Sequence, residues 1–252
     1  TLDVPFPDGS FIPTVAKRTV GLTSAVTSVN GEIGDVKVKG VIITCTSLGF
    51  STDPTVDNTP MLAALLNTAM AKDVAVYVDG IFYFKSGNLD VNLNKHSIVS
   101  YGDNEATSAF LYERASGNKT SYVEDDFANK IATIRNTGTI AFQRVAIKGI
   151  TSLDNPNGAA TNTDAVYHGD VFGFVLDSFE HLIVDAEVAG FNYRGISVKC
   201  SGSYGRTQNG RVSVLGGEYH HNKGSGLWIR YTDTVEVFGG SFHHNGLLGQ
   251  MG

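Results

Sequence analysis

Gly216-Gly217-Glu218-Tyr219-His220-His221-Asn222 is followed, at an offset of 23 residues, by Gly239-Gly240-Ser241-Phe242-His243-His244-Asn245. Paired glycines, an aromatic, two histidines and an asparagine return in the same order. A period in the low twenties is the spacing of stacked strand-and-turn units, each burying its apolar side chains against a like neighbour. Working outward from the repeat, Val184, Val214 and Val237 fall in one column and Val188, Tyr219 and Phe242 in another. Gly195 with Gly226, Ile196 with Leu227 and Val198 with Ile229 continue the pattern. Only alternate residues of a strand share a face, so the columns predict an apolar interior with the intervening residues outside. A long repeated surface of this kind suits a polymer better than a small molecule.

The composition agrees. Of 252 residues 29 are glycine and only 17% are charged, which fits short strands joined by tight turns. A net charge of -6 and a pI near 5.6 argue against a nucleic-acid groove, which needs a basic stripe. Cys45 and Cys200 have no metal-ligand spacing and read as buried free thiols. No apolar run reaches membrane length and no signal peptide opens the chain.

Residues 1–40 read as a linker or anchor arm. Thr1 to Gly21 hold three of the six prolines, and Ala25 to Lys39 form two short strands around an Asn30-Gly31 turn. A β domain is expected over 41–252, continuing past Gly252 because the last repeat has no closing cap. A helix is predicted over about 59–72, with Thr59 as N-cap, Pro60 at the first position, and Met61, Leu62, Leu65, Leu66, Ala69 and Met70 on one face. Asp73 to Gly80, a strand that stops at a turn, and the strand Ile81 to Phe84 follow, and the insertions Ser152 to Asn162 and Ser201 to Asn209 are external loops.

The helix opened by Asp57-Asn58-Thr59-Pro60, the strand Val74-Ala75-Val76-Tyr77-Val78-Asp79-Gly80 and the Gly/Asn-rich units after it resemble the start of a pectate-lyase-like right-handed parallel β-helix. Within that class the chain is most similar to bacteriophage tailspikes. Val26-Thr27-Ser28-Val29-Asn30-Gly31-Glu32-Ile33-Gly34-Asp35-Val36 is similar to a linker between the virion-anchoring and receptor-binding parts of tailspike and tail-fibre chains. Together these segments cover the chain from about Ala25 onward. The resemblance implies an all-β fold: a right-handed parallel β-helix preceded by a short capping α-helix and an N-terminal arm. It also implies a homotrimer on the phage virion, joined through its N-terminal segment to other tail or baseplate proteins. The function implied is recognition and hydrolytic depolymerisation of a host-cell surface polysaccharide, O-antigen or capsule. No cofactor, metal, nucleic acid or membrane insertion is expected. Two rivals stand beside this reading: a non-enzymatic tail-fibre or adhesin spacer, and a polysaccharide lyase in which Arg194, Lys199 and Arg230 neutralise a uronate.

No catalytic motif of the family is recognisable, so candidate residues rest on chemistry. Glycoside hydrolysis needs two carboxyl groups. Glu187 and Glu218 precede the inward Val188 and Tyr219, so both point outward on adjacent units. Strands roughly 4.8 Å apart would set them near a retaining separation. This alignment needs a one-residue gap, and a working pair should show one raised pKa. Asp177, Glu180, Asp185, Asp233 and Glu236 remain rivals. Trp228 is turned outward beside Ser197 as a platform for a sugar ring, with Arg230 and Asp233 as further substrate-binding candidates. Strand alternation lets only one column from His220-His221 and His243-His244 share a site unless a turn relaxes that constraint; the four read as a stacked polar ladder and no metal is assigned. Asn222 and Asn245 read as structural, bonding backbone groups at a turn and each other along the stack.

Overall fold

A computed structural model of the chain describes residues 28–29, 32–33, 41–113, 129–149, 171–191, 193–199, 209–222 and 224–246. The chain divides into two compact units, Thr1–Lys39 and Gly40–Gly252. In the first, β1 (Ser28–Val29) pairs antiparallel with β2 (Glu32–Ile33), in line with the two short strands read from the sequence. The rest of the arm lies outside the described residues, as do the 152–162 insertion, residues 201–208 and Cys200.

The second unit begins with β3 (Val41–Thr44), α1 (Thr59–Ala69), β4 (Val74–Tyr77), β5 (Ile81–Phe84), β6 (Leu89–Asn92), β7 (Ile98–Tyr101) and β8 (Ala109–Tyr112). Two long strands follow, β9 (Asn129–Gly149) and β10 (Val171–Ala189). After them come β11 (Arg194–Lys199), β12 (Asn209–His220), β13 (Ser225–Ile229), β14 (Thr232–Val237) and β15 (Ser241–His243). The fold is all-β, and β3 to β15 join in one 13-stranded sheet whose pairings are parallel.

The pairings run in three ladders. The first takes β3, β4, β7, the middle of β9 and β10, the start of β12, and β14. It aligns Val74, Ile98, Ile140, Leu182 and Val212. The second takes β5, β8, the ends of β9, β10 and β12, and β15, and aligns Phe82, Phe110, Ile147, Val188, Tyr219 and Phe242. The third takes β6, the starts of β9 and β10, β11 and β13, and aligns Val91, Ile134, Leu176, Val198 and Ile229. The Val184, Val214 and Val237 column is in register, as is Ile196 with Leu227. Stacking like on like leaves most column members fully buried, because each apolar side chain meets another above and below.

Strands β9 and β10 serve all three ladders because they bend at left-handed residues. These are Asn136 and Arg144 (φ 53° and 55°) in β9 and Ser178 (φ 57°) in β10. A bend takes backbone groups out of the ladder, and a buried group must still be paired. Fully buried asparagines supply the partners. Asn209 accepts the Ser178 N–H (2.6 Å) through Oδ1 and donates to the carbonyls of Lys199 (2.8 Å) and Arg230 (3.3 Å). Asn58 accepts the Ser51 N–H (2.7 Å) and donates to the carbonyls of Ser51 (2.9 Å) and Tyr83 (3.1 Å).

With its amide so engaged, Asn58 occupies the N-cap position of α1 without capping it, and Thr59 is already helical. The carboxylate of Asp57 caps instead, accepting the Thr59 N–H (3.0 Å) along with the N–H groups of Lys85 (2.9 Å) and Ser86 (3.1 Å). The helix ends at Ala69, short of the predicted 72. Met70 sits at the C-cap and is 37% exposed, off the face formed by Leu62, Leu65, Leu66 and Ala69. That face packs into one apolar cluster with Phe50, Val74, Val76, Phe82 and Phe84. Cys45, a free thiol, is buried in the same cluster, which pushes its pKa up to about 12.

Candidate functional site

Between β10 and β12 the register slips after Val184: Val184 faces Val214, but Asp185 faces Gly216. Leu215 is the extra residue of a β-bulge, and this is the one-residue gap that the sequence alignment requires. Gly217 continues the bulge at φ 91°, where a Cβ would stand 2.2 Å from the Ala186 carbonyl oxygen. Beyond it the register resumes with Glu187 opposite Glu218.

Both carboxylates border an open groove of about 450 Å³, with Asn104, Glu105, Ala106, Lys148 and Gly217. Lys148 Nζ lies 2.7 Å and His220 Nε2 3.1 Å from the same oxygen of Glu187, Oε1. His243 Nε2 donates to Glu218 Oε1 at 2.7 Å. That hydrogen bond outweighs the small cost of burial. With attraction to His220, His243 and Lys148 behind it, it holds the Glu218 carboxyl below the usual carboxylate range. This is opposite in sign to the raised value a proton donor needs, so Glu218 is suited to stay ionised.

The rival carboxylates lie elsewhere. Glu180 pairs with Lys95 at 3.8 Å and Glu236 with Arg211, while Asp177 is buried on the third ladder, where its Oδ1 accepts from Ser178 Oγ (3.1 Å). Asp185 sits beside Gly216 in the bulge, and Asp233 is exposed on β14. Trp228 faces Ser197 across β11 and β13, as its column predicts. It is not an open platform, however, because the Arg194 guanidinium lies 3.6 Å and the Arg230 guanidinium 4.9 Å from its ring centroid. Trp228 and Arg230 therefore belong to the third ladder and the corner after it and Asp233 to β14 on the first, whereas Glu187, Glu218 and Lys148 share the second.

Lys148 has no place in the repeat that led to Glu187 and Glu218, yet its column was within reach. Lys148, Ala189, His220 and His243 are in register through four successive passes. Extending the alignment one pass upstream exposes the lysine. Asn104 to Ala106 carry no periodic signal, since they form a turn between β7 and β8.

The histidines depart from the strand rule. His221 and His244 have φ of 52° and 51°, so each leaves the strand at its corner and its ring turns toward that of the preceding histidine. Within each pair the Nδ1 atoms stand 2.7 Å apart. Across the rungs His220 stacks on His243 (5.2 Å, 5°) and His221 on His244 (5.0 Å, 16°). All four imidazoles thus form one cluster. Burial and its three imidazole neighbours lower the pKa of His221, favouring the neutral ring. Asn222 and Asn245 form the amide ladder read from the sequence, with Asn222 Nδ2 donating to Asn245 Oδ1 (3.0 Å) and Asn245 Nδ2 to the Tyr219 carbonyl (2.7 Å).

No family model, curated protein or solved structure matches the chain. Among the described residues no helix is long and apolar enough to cross a membrane.

Proposed function

We propose that the three ladders are the faces of a right-handed parallel β-helix belonging to a bacteriophage tailspike. In this reading its second-ladder groove binds a host surface polysaccharide, O-antigen or capsule, and cleaves it hydrolytically. The observation that carries the reading is the in-register pair Glu187 and Glu218, outward-facing beside Lys148 on a groove that crosses successive rungs. A surface built from repeated rungs offers hydrogen-bonding groups at a regular spacing, which is what a repeating sugar chain needs. Adjacent strands bring the two carboxyls near the separation of a retaining hydrolase, with ionised Glu218 as nucleophile and Glu187 as acid. In the assembled particle α1 caps the β-helix, the chain is a homotrimer, and the N-terminal segment joins other tail proteins.

Binding without cleavage is the second reading, and one observation favours it. Oε1 of Glu187 already holds both Lys148 and His220, and an oxygen so engaged must release a donor before it can protonate a leaving group. Incubation with purified surface polysaccharides decides between the two. New reducing ends without ultraviolet-absorbing product, lost in Glu187→Gln, support hydrolysis; an unsaturated product identifies a lyase. Saturable binding with neither product supports a passive receptor-binding segment, and no binding across a panel including the host's own glycan refutes both. Light scattering tests the trimer.

A further inference from the structure

We propose that His221, His243 and His244 form a binding site for a divalent transition ion, Zn²⁺ foremost, that bridges two successive rungs of the second ladder. One nitrogen from each of these three rings lies within 4.8 Å of the others. Three imidazoles with a partly exposed face are the donor set of an open zinc site, with water as fourth ligand.

Two further observations set this cluster apart from a mere stack of polar rings. The first is the protonation pattern. The Glu218 carboxylate accepts from His243 Nε2 (2.7 Å), so the proton is on Nε2 and the Nδ1 lone pair faces the cluster. This is the carboxylate–histidine arrangement that orients metal-ligating imidazoles. Glu187 does the same for His220, whose Nδ1 lone pair then receives the Nδ1–H of His221 (3.1 Å and 2.7 Å) and leaves His221 Nε2 as a lone pair. The second observation is backbone conformation. His221 and His244 are both held in the left-handed region, which disfavours a bulky L-residue. The same bend turns the strands at Asn136, Arg144 and Ser178, and at this corner it gathers both imidazole columns on one side.

Without an ion, the 2.7 Å contact between His243 and His244 is bridged by the Nδ1 proton of His244. On binding, that proton moves through solvent to Nε2 and the ion takes its place between the two nitrogens. Zn–N bonds of about 2.0–2.1 Å in tetrahedral array then open the contact to roughly 3.3 Å. Glu187 and Glu218 act here as positioning residues.

The test uses the untagged full chain, stripped with a chelator and titrated calorimetrically with zinc chloride in the absence of any glycan, so that it is independent of the polysaccharide reading. About one ion per chain is expected. Cobalt(II) in its place should give the visible bands of a four-coordinate site. Affinity should fall at least about 100-fold in His244→Ala and about 10- to 100-fold in Glu218→Gln. His96→Ala, altering a histidine paired with Asp73, should be unchanged. Because His244 is exposed, His244→Gln serves if another variant misfolds, with circular dichroism confirming the fold. Absence of saturable binding at about 100 μM zinc, or full binding in a folded His244 variant, would overturn the proposal.

Discussion

Asn222→Ala should be among the most damaging single changes in the chain, although it removes only one amide. Oδ1 of Asn222 accepts the Phe191 N–H (3.1 Å), and Nδ2 donates to the carbonyls of Val188 and His220 and to Asn245 Oδ1, each at 3.0 Å. Phe191 and Val188 are fully buried, so truncation leaves one N–H and one C=O that water does not reach. Each such orphan costs about 1–3 kcal/mol, which places the total near 2–6 kcal/mol, against about 5–15 kcal/mol for a typical domain. His220 and Asn245 are partly exposed and recover their bonds from solvent. Asn245→Ala likewise strands the Tyr219 carbonyl and the Asn222 N–H, both on fully buried residues, and should cost a similar amount. Urea unfolding followed by circular dichroism measures both, as a shift in midpoint at constant slope. Asn222→Asp adds a sign. A carboxylate facing three oxygen acceptors is disfavoured, so its folded pKa rises above the unfolded value of about 3.9. This variant is then most stable below that pH and weakens as pH rises through the folded value. A cost below about 1 kcal/mol for either alanine variant, or a stability of Asn222→Asp that does not fall with rising pH, would refute the reasoning.

Three further outcomes follow from the geometry. Gly217→Ala must place a methyl 2.2 Å from the Ala186 carbonyl at φ 91°, and should cost about 2–5 kcal/mol in the same urea assay; Gly239→Ala, whose nearest atom is 3.0 Å away, should cost clearly less. At Asp57, burial raises the carboxyl pKa but hydrogen bonds from Ser86, Lys85 and Thr59 more than reverse this and hold it well below the usual range. Its stabilisation is therefore present above about pH 4 and lost as pH falls toward the folded value, so thermal melts of Asp57→Asn should lie about 1–2 kcal/mol below wild type at pH 7 and converge with it in acid. Trp228→Ala removes the ring beneath the buried Arg194 guanidinium and should lower stability by about 1–2 kcal/mol, while polysaccharide affinity in the second-ladder groove stays within twofold.

The column pattern was legible because stacking demands the same residue type at the same depth on every pass. Val184 over Val214 and Val188 over Tyr219 announce themselves wherever the spacing is regular. The bulge at Leu215 was visible only as a gap in the alignment, since Gly216-Gly217 marks a kink without saying which way it turns. The stacking of the histidines was legible, but the convergence of their two columns was not. Alternation holds only while φ stays in the extended region, and a histidine at φ near 50° carries no mark of it in sequence. Lys148 and the Asn104 turn were hidden because they reach the groove from passes outside the clearest repeat. Trp228 was placed on the correct face, but the covering by Arg194 depends on where a long side chain folds back, which no spacing encodes.

The amides at the corners also set a chemical clock. Asn209 and Asn245 each precede a glycine, the neighbour that least hinders attack of the next backbone nitrogen on the side-chain carbonyl and hence loss of ammonia. While the rung is closed, Asn209 is pinned through both ends of its amide to Ser178, Lys199 and Arg230 and does not reach the cyclic geometry. Ageing at this position is therefore confined to moments of local opening. Its product, a carboxylate, has no hydrogen to give the two carbonyls that the amide served, so a brief opening is converted into a lasting defect at the corner.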